Sequence, residues 1–231
     1  MSTFQNLWLS LVMLPAVCFF AGSLPSTERP VQANPIGSNL TWFFEATSMF
    51  SKAPQLYQQG QDLFQAGRYE QAIATLDQAL AFDSKYAAAW ALRANALAEL
   101  KRYPEALSDF DTALKLGSES SLDAAKSGSI WFARGNTLLS LKRYQGAVVS
   151  FDQAIALEPH NASAWLKRGN ALYALKRYPE AIAAYDTALK ISPDYQQAIY
   201  NRVLLMKQVE QERQFEQTSA AHPPEADNIA Q

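Results

Sequence analysis

Charged side chains recur along this sequence at nearly constant intervals. Two kinds of residue follow the same spacing between residues 77 and 202, an aspartate and an arginine that comes after it. The aspartates are Asp77, Asp111, Asp152 and Asp186, and the arginines are Arg93, Arg134, Arg168 and Arg202. Such spacing brings opposite charges together on neighbouring helices. We expect ion pairs that help to fix how the helices stack, although an exposed pair contributes no more than about 1 kcal/mol.

No group of residues has the spacing of a catalytic or metal site. The carboxylates are spread over repeating positions, and the sequence contains neither a glycine-rich phosphate loop nor a nucleophile elbow. Cys18 is the only cysteine, and His160 and His222 are far apart, which argues against the usual zinc-ligand patterns. The net charge of -2 gives no support for nucleic acid as a partner. We therefore predict a protein that is not an enzyme and has no metal or cofactor.

A short basic motif also recurs, with tyrosine as its last residue. Its copies are Gly67-Arg68-Tyr69, Lys101-Arg102-Tyr103, Lys142-Arg143-Tyr144 and Lys176-Arg177-Tyr178. The motif predicts a basic stripe along one edge of the molecule. Such a stripe is either a solvated surface, offset by the aspartates, or an edge that binds anions. The near-neutral total charge favours the solvated surface.

These features follow a longer repeating unit. One equivalent position is occupied by Leu56, Trp90, Trp131, Trp165 and Ile199, which are separated by 34, 41, 34 and 34 residues. Each of the first four is followed by an alanine and then by a large apolar or aromatic residue. These pairs are Ala72 with Leu76, Ala106 with Phe110, Ala147 with Phe151, and Ala181 with Tyr185. The four units span 53–86, 87–120, 128–161 and 162–195, with seven additional residues at 121–127.

The pattern resembles the tetratricopeptide repeat, whose 34-residue unit has tryptophan, glycine, alanine, an aromatic residue and proline at fixed places. Its small position is occupied by Gly60, Ala94, Gly135 and Gly169, and Pro159 and Pro193 close the last two units. Arginine replaces the family's usual leucine in three units. The resemblance implies an all-α fold, a right-handed superhelical α-solenoid of antiparallel helix pairs. Residues 196–216 would form a capping helix, and 217–231 a disordered tail.

Small residues at fixed positions indicate where the backbones of two helices approach closely. We expect Ala106, Ala147 and Ala181 to be almost fully buried between the helices of their units. One helix pair cannot bury its apolar side alone, so neighbouring units must stack. The seven additional residues either lengthen the first helix of the third unit by about two turns or form a longer loop. Gly117 and nearby serines favour the loop.

The resemblance also implies a surface that binds a partner protein. In the family, side chains of each first helix face a concave groove and contact ligands. On this sequence the groove residues are Tyr57, Gln61, Phe64, Asn95, Glu99, Phe132, Asn136, Leu139, Leu166, Asn170 and Tyr173. Glu99 is the only charged residue among them, so we expect the partner to present an uncharged or amphipathic segment. The asparagine side chains either bond to the backbone of that segment or stabilise the helices themselves.

The amino-terminal residues differ in composition from the units. Residues 7–22 are almost wholly apolar, and no charged side chain precedes Glu28. Residues 1–33 are therefore interpreted as a cleaved export signal or a retained membrane anchor, with a linker, and a buried helix is a third interpretation. Residues 34–52 predict a linker and a short amphipathic helix that covers the first unit or lies at a membrane surface. We expect an exported or membrane-anchored protein.

Two functions are compatible with these patterns. The favoured one is an adaptor that binds another protein in the concave groove, for example during assembly of a membrane or envelope complex. The alternative is a structural role in which the units assemble with themselves and bind no peptide.

Overall fold

The computed structural model describes residues 38–119 and 124–221, and every regular element in this part of the chain is an α-helix. The helices are α1 (Ser38–Gln65), α2 (Tyr69–Phe82), α3 (Ala87–Glu99), α4 (Tyr103–Glu119), α5 (Ala124–Ser140), α6 (Tyr144–Leu157), α7 (Ala162–Ala174), α8 (Tyr178–Ile191) and α9 (Gln196–Ala221). The apolar stretch 7–22 and residues 222–231 of the predicted tail lie outside the described residues.

Consecutive helices pack as antiparallel pairs. Turns of three residues join α1 to α2, α3 to α4, α5 to α6 and α7 to α8, and the helices of each pair pack against each other. Linkers at 83–86, 158–161 and 192–195 lead from one pair to the next, and α9 packs against α8. The predicted all-α solenoid of helix pairs is confirmed.

The first helix is longer than the repeating pattern requires. α1 has 28 residues and runs without interruption from the stretch predicted as a linker and short helix into the first unit. Pro54 lies inside it, although proline removes a backbone hydrogen bond and is unfavourable in a helix interior. Residues 38–52 therefore continue directly into the helix that carries Tyr57.

The seven additional residues of the third unit are accounted for by longer helices. α4 and α5 each contain 17 residues, whereas the other second helices contain 14 and α3 and α7 contain 13. α4 is thus three residues longer, and α5 four residues longer, than its counterparts. Within these added residues the backbone forms helical hydrogen bonds, where the sequence had favoured a plain loop.

Small residues set the distance between the helices of a pair. The three alanines predicted to be buried, Ala106, Ala147 and Ala181, have no exposed surface, which confirms that prediction. Two glycines of first helices lie directly against aromatic rings. A Cβ atom on Gly135 would come within 2.6 Å of Phe151, and one on Gly169 within 2.5 Å of Tyr185. A larger side chain would displace these buried rings from a closely packed core.

Each first helix that begins a pair ends in the same tight turn. The lysines of three turns, Lys101, Lys142 and Lys176, have positive φ angles of 60°, 57° and 60°, and Gly67 has the equivalent conformation with φ 72°. In all four turns the backbone N–H of the arginine that follows donates to the carbonyl oxygen five residues before it, at 2.8 to 3.0 Å. This bond closes the helix end. The recurring basic motif is therefore the turn that reverses the chain between paired helices.

The predicted ion pairs between helices are confirmed. Arg134 Nε lies 2.7 Å from a carboxylate oxygen of Asp111, and Arg168 Nε lies 2.6 Å from one of Asp152. The equivalent pairs are Arg93–Asp77 and Arg202–Asp186. Each pair joins the second helix of one unit to the first helix that follows. Because the four aspartate side chains are 39 to 59% exposed, each pair contributes no more than about 1 kcal/mol and orients the helices more than it stabilises them.

The last helix extends past the predicted end of the cap. α9 continues to Ala221, five residues beyond residue 216. Among the described residues, no helix has both the length and the apolar character needed to cross a membrane. That part of the chain also contains no group of three or more side chains that could hold a metal ion.

Candidate partner-binding surface

Two cavities lie between the first helices α1, α3 and α5. The tyrosine cavity has a volume of about 380 Å³ and is lined by Tyr57, Tyr86, Ala88, Ala91, Leu92, Asn95, Ser129 and Ile130. The asparagine cavity has a volume of about 460 Å³ and is lined by Asn95, Ala98, Glu99, Lys101, Tyr103, Phe110, Phe132, Ala133, Asn136, Thr137 and Ser140. Because Asn95 borders both, the two cavities are neighbours on one surface.

Two tyrosines in contact form part of the wall of the tyrosine cavity. The ring of Tyr57, from α1, and that of Tyr86, from the linker before α3, have centroids 5.1 Å apart. Small side chains at Ala88 and Ala91 leave space between these rings and Ile130 of α5. Burial raises the pKa of both tyrosines, so each hydroxyl is protonated at neutral pH and can donate a hydrogen bond. The cavity is therefore mainly apolar, and the two tyrosine hydroxyls, Asn95 and Ser129 supply the polar part of its wall.

The asparagine cavity contains amide side chains from two successive first helices. Asn95 belongs to α3 and Asn136 to α5, at equivalent positions of their units. Neither side-chain amide is hydrogen-bonded to any residue in 38–119 or 124–221. Both residues are partly exposed, and their polar atoms are not sealed from solvent. Each amide can therefore donate to and accept from a ligand.

An aromatic ring and two opposite charges complete this cavity. Phe132 packs against Phe151, with ring centroids 5.8 Å apart, and its other surface lines the cavity. Glu99 ends α3, and Lys101 follows in the turn; both are exposed. Because their charges have opposite sign, the cavity has no surplus of either.

The fourth unit and α9 present a different surface. Oδ1 of Asn170 accepts hydrogen bonds from Oη of Tyr185 and from Nδ2 of Asn201, both at 2.9 Å. Oη of Tyr173 donates to Oε1 of Gln208 on α9, 3.1 Å away. Burial raises the pKa of Tyr185 to about 12, so its hydroxyl keeps the donated proton at neutral pH. The carbonyl of Asn170 and the hydroxyl of Tyr173 are thus engaged within the chain.

The structure brings together part of the predicted groove. Five of the predicted residues line the two cavities, namely Tyr57, Asn95, Glu99, Phe132 and Asn136. Gln61, Phe64 and Leu139 line neither cavity. Phe64 instead packs against Tyr69 with ring centroids 5.4 Å apart, and Leu139 packs against the core. The predicted groove residues that line a cavity therefore all belong to the first three units.

Leu166 was predicted to face the groove but has no exposed surface, so that prediction is wrong. The residue belongs to a core cluster to which α4 to α9 all contribute. Tyr195 and Ala198, from the linker and α9, belong to the same cluster. These apolar neighbours remove Leu166 from water, which is the favourable state for an aliphatic side chain.

Tyr86, Tyr103 and Ile130 are among the lining residues of the tyrosine and asparagine cavities that the sequence did not predict. Tyr86 lies in the linker between units, outside the first-helix positions of the family pattern. Tyr103 belongs to the recurring basic motif, which was interpreted only through its charge. Ile130 occupies a position where the second and fourth units have alanine, Ala89 and Ala164. That departure was the available signal, because a larger side chain at one repeat position changes the surface locally.

Comparison with known proteins agrees with this architecture. A model of the family "Tetratricopeptide repeat" matches residues 57–121 and 132–196, more than half of the chain. The crystal structure of YrrB, a TPR protein with an unusual peptide-binding site, is similar, with a TM-score of 0.61 and 23% identity over 74% of this chain and 83% of that one. MamA (41-end) from Desulfovibrio magneticus RS-1 is similar with a TM-score of 0.63 and 21% identity, over 71% and 88%. No curated protein matches the sequence.

At such identities the solved structures establish a likeness of fold alone. The family assignment depends on the match of the family model to both halves of the array. It agrees with the observed helix pairs, the close contacts at glycine and alanine, and the tight turns that end the first helices. The chain belongs to the tetratricopeptide repeat family.

Proposed function

We propose that this protein is a non-enzymatic interaction scaffold that binds a segment of another protein over α1, α3 and α5. The proposal depends on two side-chain amides, Asn95 and Asn136, that have no hydrogen-bond partner in 38–119 or 124–221 and lie beside a mainly apolar cavity. An extended segment has backbone N–H and C=O groups without partners in its own chain. An asparagine side chain offers both a donor and an acceptor to such groups.

The tyrosine cavity would supply the apolar part of the contact. Burying one large apolar side chain of the partner contributes about 1.5–3 kcal/mol, whereas one neutral hydrogen bond contributes about 0.5–1.5 kcal/mol. The cavity would therefore provide much of the affinity, and the amides would orient the backbone. The structurally similar protein YrrB has a peptide-binding site, which is consistent with a peptide ligand for this chain.

The charges of the surface support an uncharged or amphipathic segment as the ligand. Glu99 and Lys101 line the asparagine cavity together and offset each other. An acidic tail would lose its hydration there without gaining a cationic environment. The net charge of -2 likewise gives no support for nucleic acid.

We also propose that the scaffold acts at a membrane or outside the cytoplasm, in assembly of a membrane or envelope complex. The support is the apolar stretch 7–22, which is typical of an export signal or an anchor. In the native cell the protein should fractionate with membranes or with a non-cytoplasmic compartment. Full-length protein found only in the soluble cytoplasm would contradict this part of the proposal.

Partner capture tests the binding function. Affinity capture with the tagged full-length chain and mass spectrometry identifies the partner, and overlapping peptides of that partner locate the bound segment. Its Kd is then compared between the parent and a variant with both Asn95→Ala and Asn136→Ala. Loss of two neutral hydrogen bonds, about 1–3 kcal/mol, should weaken binding about 5- to 150-fold.

A matched variant controls for the loss of two amides. Gln71→Ala with Gln153→Ala removes exposed amides from α2 and α6, which lie away from both cavities. Its Kd should equal that of the parent. If the asparagine variant binds the peptide as tightly as this control, the ligand does not use the asparagine cavity and the proposal fails.

Self-assembly is a second candidate function, and α9 is the observation that favours it. Tyr200, Val203, Leu204 and Met206 are exposed apolar residues of α9, and Tyr200 is 67% exposed. The equivalent residues of α7, Gly169 and Leu172, are buried. Within the described residues, no helix follows α9 to cover Val203 and Met206. Light scattering of the parent and of Leu204→Lys tests this function. An oligomer that the substitution dissociates supports self-assembly, and a parent that is monomeric at all concentrations contradicts it.

A further inference from the structure

One buried position of the second helices holds different aromatic residues in different units, and the difference affects the hydrogen bonding of an asparagine at the surface. Phe110, Phe151 and Tyr185 are equivalent, and each lies fifteen residues after the asparagine of its own unit. All three are essentially fully buried. Tyr185 alone of the three has a hydroxyl group, and this group donates to Asn170. Phe110 and Phe151 have no such donor for Asn95 and Asn136, whose side-chain amides are unbonded within the described residues.

The rings of the third and fourth units occupy the same place. A Cβ atom on Gly135 would approach Cε1 of Phe151 to 2.6 Å, and one on Gly169 would approach Cε1 of Tyr185 to 2.5 Å. The two rings contact equivalent glycines in equivalent helix pairs. The Cζ atom of Phe151 therefore points in the same direction, relative to its own unit, as the Cζ atom of Tyr185. A hydroxyl group added to Phe151 would therefore point at Asn136.

We propose that this buried aromatic residue decides which asparagines a partner can reach. Phenylalanine at 110 and 151 leaves Asn95 and Asn136 available, whereas tyrosine at 185 engages the carbonyl of Asn170 and withdraws it. The partner's backbone can thereby bond to asparagines of the second and third units but not to the carbonyl of Asn170 in the fourth. The inference rests on the proposed function for its biological meaning, and it names Phe110, Phe151 and Tyr185 as buried residues that determine the position of the ligand through the asparagines.

The capping helix α9 supplies a second hydrogen bond to the asparagine of the fourth unit. Nδ2 of Asn201 on α9 donates to the same oxygen of Asn170 that accepts from Tyr185. In the second and third units the following first helix makes no such bond to the equivalent asparagine. Asn170 thus joins α7, α8 and α9, while its counterparts are left for a ligand.

A test that needs no partner uses the full-length chain, isotopically labelled for NMR and kept in mild detergent. The probe is N-methylacetamide, a molecule with a single peptide group. Titration of the parent should shift the side-chain carbonyl carbon (Cγ) signals of Asn95 and Asn136 and leave that of Asn170, whose carbonyl oxygen already accepts two hydrogen bonds, unmoved. In Phe151→Tyr the response of Asn136 should be lost and that of Asn95 retained.

Two results would overturn the inference. One is an unchanged response of Asn136 in a folded Phe151→Tyr variant, and the other is a response of Asn170 in the parent equal to that of Asn136. Thermal unfolding followed by circular dichroism establishes that the variant is folded. If Phe151→Tyr does not fold, Phe110→Tyr makes the same test in the second unit, where the response of Asn95 should be lost.

The bound peptide separates this inference from the proposed function. Loss of one hydrogen bond in Phe151→Tyr should weaken peptide binding about 2- to 10-fold. A peptide that binds the parent and this variant equally refutes the inference and leaves the proposed function standing. An NMR response that depends on residue 151, in a protein for which no peptide ligand exists, supports the inference and refutes the proposed function.

Discussion

The third and fourth units share one core design and present opposite surfaces. In both, a glycine of the first helix lies against an aromatic ring of the second helix at nearly the same distance. In the third unit the side-chain amide of Asn136 is unbonded within the described residues and lines a cavity, whereas in the fourth Asn170 accepts two hydrogen bonds from its own chain. A buried hydroxyl group and one side chain of the capping helix therefore change the surface chemistry of a repeat without changing its fold.

The position of a unit in the array also contributes to the difference. The third unit is followed by another complete pair, whereas the fourth is followed by α9 alone. α9 supplies Asn201 to Asn170 and Gln208 to Tyr173. The helix that covers the apolar end of the array therefore also forms hydrogen bonds with polar side chains of the last unit.

Overpacking the shared core gives the largest expected effect. Ala147→Leu and Ala181→Leu each place a large side chain where no space exists, because both alanines are fully buried. We expect each to cost about 1–3 kcal/mol of unfolding free energy, with similar values for the two units. Denaturant unfolding of the two variants measures this. A variant as stable as the parent would show that the helix contact in that unit is not closely packed.

Replacing the asparagine should change the unfolding free energy by different amounts in the fourth and third units. Asn170→Ala leaves the buried hydroxyl of Tyr185 without its acceptor, so we expect a cost of about 1–3 kcal/mol. Asn136→Ala removes an unbonded, partly exposed side chain and should change stability by less than about 0.5 kcal/mol. The same unfolding measurement compares them. Equal losses in the two variants would mean that both asparagines serve the helices and that neither is reserved for a ligand.

Removing the hydroxyl group should have a smaller effect with a distinctive pH dependence. Tyr185→Phe deletes one neutral hydrogen bond, at an expected cost of about 0.5–1.5 kcal/mol at neutral pH. The folded-state pKa of Tyr185, about 12, is above the ordinary value of 10.0. Its stabilising contribution is therefore present below pH 10.0 and is lost as the pH rises through about 12. Urea unfolding across this range should show the difference between parent and variant disappear. A constant difference would exclude the phenolic proton as its source.

The smallest expected effect concerns the turn of the third unit. Arg102 and Arg177 pair with a glutamate three residues later in the second and fourth units, whereas the third has Gly146 at that place. A Cβ atom there would meet Leu138 at 3.4 Å, an ordinary contact. Gly146→Glu should raise stability by about 0.5–1 kcal/mol, mainly through helix propensity.

Binding of the partner peptide provides the second readout of Gly146→Glu. The glycine does not line either cavity, so the Kd should not change. A large change in Kd would place the ligand at the turns instead of over the asparagine cavity.

Features that depend on repetition were predictable from the sequence. The helix pairs, the buried alanines such as Ala147, and the ion pair of Arg134 with Asp111 follow from residues that return at one spacing. The burial of Leu166 was not predictable, because it depends on a core cluster that several helices form together, α9 among them. The tyrosine cavity was missed for a related reason, since Tyr86 and Ile130 are departures from the repeating pattern.

The architecture could be inferred from the sequence, because helix pairs that repeat with small residues at fixed places must stack to bury their apolar sides. The repeat also shows that asparagine occupies the same place on three first helices. Which of these asparagines is available depends on the packing of the helices around each of them. The groups that bond to Asn170 come from residues 15 and 31 positions away along the chain, on α8 and α9. A hydrogen bond of this kind depends on how three helices pack, and local sequence around the asparagine does not specify it.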